Sequence, residues 1–66
     1  MWDRIARTKT EKTGWELIEQ LKAACPYNTF HLVLRAPGAG FEIHHTEVMH
    51  PIDKKAAAEA VRAFKP

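Results

Sequence analysis

A chain of 66 residues is too short for more than one domain, and at this size only about 60% of the surface exposed on unfolding can be hidden. One cysteine excludes an internal disulfide, so the core must lean on a metal or a second copy, and a reducing, cytoplasmic setting is expected. Ten Lys and Arg against eight Asp and Glu leave a formal +2, short of an avid nucleic-acid binder, and neither a signal peptide nor the ~20-residue apolar run of a membrane span is present.

The N-terminal run "MWDRIARTKTEK" sets Arg4, Arg7, Lys9 and Lys12 against Asp3 and Glu11. Three readings of residues 1–12 stay open: one helical turn through Trp2 and Ile5, an extra strand, or a basic arm that orders on a partner. Next, "TGWE" has the spacing of a capping box, with Thr13 and Glu16 each satisfying an orphan amide of a first turn. Leu17, Ile18, Leu21, Ala24 and Cys25 then recur at helical spacing, and Pro26 disfavours helix in the residue before it. A helix over residues 14–25 follows, with Trp15 read as packing on the core and Cys25 as structural.

"NTFHLVLR" and "FEIHHTEV" both alternate, and "APGAG" between them is turn chemistry. Both apolar rows must share a face, because a slip of one residue turns every side chain over. That condition pairs Leu34 with Phe41, Leu32 with Ile43 and Phe30 with His45. The opposite face then carries His31 across from His44, Val33 across from Glu42, and Arg35 and Thr46 nearby.

The last segment, "PIDKKAAAEAVRAFK", predicts a helix that starts at Pro51, with His50 marking its start, Asp53 in the first turn and Lys65 in the last. Its apolar stripe is read as Ile52, Ala56, Ala57, Ala60, Val61 and Phe64, with the alanines allowing close approach to the sheet. The predicted fold is one α+β domain spanning 1–66, in α-β-β-α order, with both helices on one face of the hairpin. A two-stranded hairpin is barely stable alone. An N-terminal strand, or a homodimer with a continuous sheet, is therefore expected to extend it.

Three histidines crowd into "GFEIHHTEVMHP", yet the register gives them separate places: His44 on the open face, His45 toward the helices, His50 before Pro51. No C-x-x-C or H-E-x-x-H spacing is present, and no metal or cofactor is predicted. A metal-assisted hydrolase built on His31, His44 and Glu42 ranks last, and the chain is read as non-catalytic.

The helix run "IDKKAAAEAVRAF" resembles the C-terminal helix of double-stranded RNA-binding domains, matching at Lys54, Lys55 and Ala57. The resemblance implies that Lys54 and Lys55 contact duplex phosphates. It departs at Ala58, where that family has a third lysine, and in the predicted hairpin, which gives two strands where that family has three; no minor-groove loop motif is recognisable in "RAPGAG". A duplex-backbone binder is the second reading. The first is a small regulator or inhibitor, of the kind encoded by phages and plasmids, acting on a protein target. The candidate binding residues are Trp2, Arg4, Arg7, His31, Arg35, His44, Lys54 and Lys55.

Overall fold

The computed structural model describes residues 3–45 and 48–64, with side chains for all of these except Asp3. Trp2, Thr46 and Lys65 lie outside the described residues. The element order is β1 (Asp3–Thr8), α1 (Glu11–Ala24), β2 (Phe30–Leu34), β3 (Phe41–His45) and α2 (Pro51–Ala63). The fold is α+β. The N-terminal run supplies a third strand ahead of α1, so the order becomes β-α-β-β-α. In the sheet β3 is central, with β1 and β2 both antiparallel to it and therefore parallel to each other.

The hairpin register is the expected one at all five positions, from Phe30 opposite His45 to Leu34 opposite Phe41. The reason is burial. Ile43 is fully buried and Phe30 nearly so, beneath Leu17, Ile18, Leu21 and Cys25 of the α1 segment. Gly38 and Gly40 in the turn take φ of 81° and 86°. A Cβ on Gly38 would meet open space, whereas one on Gly40 would lie 2.6 Å from the Thr8 carbonyl oxygen of β1. Gly40→Ala is therefore expected to cost more than the ~1–3 kcal/mol of left-handed backbone strain that Gly38→Ala incurs. Thermal melts of the two variants check the order; equal midpoints would mean that Gly40 does not press on β1.

Three sequence expectations are corrected. First, α1 starts at Glu11, not residue 14. Thr10, extended at φ −125°, accepts a hydrogen bond from the Thr13 amide at 3.2 Å, and the Thr13 hydroxyl donates back to the Thr10 carbonyl at 3.1 Å. Starting there seats Gly14 against Leu32, where a Cβ would come within 2.5 Å of a methyl. Second, Trp15 is 51% exposed, because the buried stripe of α1 runs through Gly14, Leu17, Ile18 and Leu21. Third, Ile52 is 72% exposed. With Ala57 at the centre of the buried face of α2, a residue five places earlier falls about 140° away round the helix.

His50 caps α2, its Nδ1 accepting from the Ile52 amide at 3.2 Å, and Pro51 occupies the first turn. Helix α2 packs chiefly on α1, so the alanine stripe brings helix to helix more than helix to sheet. Asp53 ties the two helices together. Its carboxylate accepts from Asn28 Nδ2 and its carbonyl from the Cys25 thiol, each at 3.3 Å. Cys25 is itself fully buried, and burial first, then the Asp53 charge, raises its thiol above the ordinary value. That opposes thiolate formation.

Candidate functional site: a cationic sheet face

Both helices cover the face of the sheet that holds Ala6, Ile43 and Phe30. Among the described residues, no helix covers the other face, called the open face below. Strand β3 sends Glu42 and His44 to it, and β2 sends His31 and Val33, with Arg35 following. Strand β1 contributes Arg4 and Arg7, and it can do so only because it is irregular. Residues three apart on a regular strand point to opposite faces. Here the register shifts between Arg4 and Ala6, so Ile5 is an extra residue, Arg4 lies opposite His44 and Arg7 opposite Glu42. The bulge brings both guanidiniums onto one face.

These groups converge on Glu42. Its Oε2 lies 3.1 Å from Arg35 Nε, 3.6 Å from an Arg4 terminal nitrogen and 3.7 Å from Arg7 Nε. Its Oε1 accepts from His44 Nε2 at 2.9 Å. The Glu42 side chain is only 18% exposed while the arginines are 38–53% exposed, so the carboxylate is roofed by its partners. The His44 hydrogen bond, then the Arg35 and Arg4 charges, outweigh partial burial and hold the Glu42 carboxyl below the ordinary carboxylate value.

The balance of charge is uneven. Three arginines and one glutamate leave +2 on this face, which is the formal net charge of the whole chain; the remaining seven cations are matched by seven anions. The surplus on this face therefore equals the formal charge of the chain.

Of the residues singled out from the sequence, Arg4, Arg7, His31, Arg35 and His44 share this face. Lys54 and Lys55 do not. They sit in the first turns of α2, in the helix layer, where Lys54 lines a hollow of about 380 Å³ with Ile5, His45 and Met49. Glu42, which the sequence suggests only beside His31 and His44 in a metal-assisted hydrolase, is the hub. Among the described residues, no group of three His, Cys, Asp or Glu could hold a metal ion, so His31, His44 and Glu42 do not assemble as one.

A cleft of about 850 Å³ opens at the other end of the helix layer, between Thr8, Thr13 and Leu17 on one side and Val61 and Phe64 on the other. Among the described residues, the ionisable ones that line it are Arg7 and Lys9. No helix among the described residues is long and apolar enough to cross a membrane. The chain matches no protein-family model, no curated protein and no solved structure.

Proposed function

We propose that this chain is a non-catalytic binding module that regulates or inhibits a protein target by seating its open sheet face on an acidic patch of that target. The observation that carries the reading is the arginine triad: three partly exposed guanidiniums held in place by one carboxylate that neutralises only one of them. Arginine is the side chain best suited to bidentate recognition of carboxylates and is enriched at interface hot spots. Anchoring on Glu42 and β-strand backbone limits the side-chain freedom lost on binding.

Duplex nucleic acid is the second reading. It calls on Lys54 and Lys55 together with the basic N-terminal run, and the sheet lies between those two lysines and Arg4 and Arg7 of that run. That separation favours the protein target.

The test is a titration at low salt with poly-L-glutamate and, separately, with duplex RNA and duplex DNA. Combining Arg4→Gln, Arg7→Gln and Arg35→Gln is expected to weaken poly-L-glutamate binding more than about tenfold, since the face passes from net cationic to anionic and like-charge contacts cost several kcal/mol. Lys54→Gln with Lys55→Gln is expected to leave it unchanged. Tight duplex binding that depends on the lysines and ignores the arginines would replace this reading with the nucleic-acid one.

A further inference from the structure

The two edges of the sheet are not alike. Strand β1 is guarded by a bulge and by Arg4 and Arg7, devices that discourage edge-to-edge pairing. Strand β2, "FHLVL", has an unbroken register and holds no Lys, Arg or Pro. Its backbone polarity can be assigned. The Arg35 amide donates to the Gly40 carbonyl at 3.2 Å, so Arg35 and Gly40 form a hydrogen-bonded pair. Such pairs alternate along an antiparallel ladder. Val33 and His31 therefore bond toward β3, and the amides and carbonyls of Phe30, Leu32 and Leu34 point away from it.

We infer that a second copy of this chain pairs with that edge, β2 against β2 in antiparallel sense, about a two-fold axis at Leu32. In this register Leu32 meets its own counterpart, and Phe30 and Leu34 meet each other twice. Every outward amide and carbonyl of the strand finds a partner, and the apolar row of one copy continues that of the other on the helix side. Moving the axis to Val33 would set His31 against the partner's Arg35, a poorer match.

The surroundings fit the same occupant. Leu34 is 57% exposed at the strand end, where the partner's Phe30 would cover it. Trp15, 51% exposed, lies about 160° round α1 from Leu17, which lines the cleft against α2. It thus flanks the β2 side, on the seam. A chain this short gains most from such an extension of its core.

Six strands would form one sheet with both arginine clusters on its open face. Three strand spacings and a two-residue stagger put the Glu42 hubs about 16 Å apart. That exceeds the ~8–10 Å screening length at physiological salt, so the clusters repel weakly. This consequence rests on the acidic-target reading; the pairing does not.

Light scattering of the full chain across a concentration series should give twice the 7.5 kDa chain mass. Leu34→Pro deletes an outward amide and no bond to β3, so it is expected to give a folded monomer, checked by circular dichroism; Leu34→Lys gives a second route to the same end. Under mild oxidation Leu32→Cys should cross-link between copies, because hydrogen-bonded pairs sit about 5.5 Å apart at Cα, within disulfide reach. Leu34→Cys should not. A monomeric mass at every soluble concentration, or cross-linking of Leu34→Cys equal to that of Leu32→Cys, overturns the inference. Neither result alters the binding titration of the arginine variants, so the two proposals fail separately.

Discussion

Ile43→Ala is expected to leave much of the protein unfolded at room temperature. Ile43 is fully buried on the central strand, level with Ala6 of β1 and Leu32 of β2, under the apolar stripe of α1. Truncating such a side chain loses its transfer free energy and leaves a cavity, together ~2–5 kcal/mol. A chain of this length has a total stability of only about 3–10 kcal/mol, so the loss approaches the whole. The cavity has little chance to collapse, because β1 and β2 pin both sides of β3. Ile43→Val, which keeps the β-branch, is expected to cost only ~0.5–1.5 kcal/mol. Urea unfolding at fixed protein concentration checks the pair, the concentration being held because any pairing of copies couples to stability. An alanine variant with the wild-type midpoint would mean that the helices do not close over the centre of the sheet.

The hairpin could be read from the sequence because burial demanded a single answer. One apolar row in each strand, a two-glycine turn and the parity of β-structure fix five residue pairs, and the places of His31, His44 and His45 come with them. His50 and Pro51 were legible for a similar reason, since each meets a local demand of a helix start.

Strand β1 was not legible because its bulge breaks the period. Ile5 and Ala6 are adjacent and both turn toward the core side, so "DRIART" fits neither alternation nor helix. The same bulge hid the site. Arg4 and Arg7 stand three apart, a spacing that suggests one helical face, and nothing local shows that they meet Arg35 across three strands. At the start of α1, the capping-box spacing of Thr13 and Glu16 pointed to a start three residues too late; the cap is Thr10, and Gly14 is thereby inside the helix, packed on Leu32. Lys54 and Lys55 join the candidate residues through their charge and through the resemblance of their helix run, and neither carries information about which layer a residue joins.

Glu42→Gln separates the structural role of the hub from its role in binding, because the two predict effects of opposite sign. The substitution keeps an oxygen able to accept from His44 and removes only the charge. Stability is expected to fall at neutral pH, since three guanidiniums lose their shared counter-ion. The sign with pH follows from the direction of the shift. The folded carboxyl titrates below its ordinary value of 4.5, so the wild type binds fewer protons folded than unfolded near that value. Its stabilisation is fully present above pH 4.5 and is lost as pH falls through the lower, folded value. The variant lacks this step, so urea midpoints of the two proteins should converge as the pH is lowered from 7 toward about 2. Parallel acid limbs would show that the carboxylate does not anchor the arginines. Binding should move the other way. The face goes from +2 to +3, and affinity for poly-L-glutamate at low salt is expected to rise about two- to fivefold, the worth of one exposed charge pair. A variant that is less stable and binds more weakly would mean that the placement of the guanidiniums matters more than their sum. Glu42 would then be the residue that aims them.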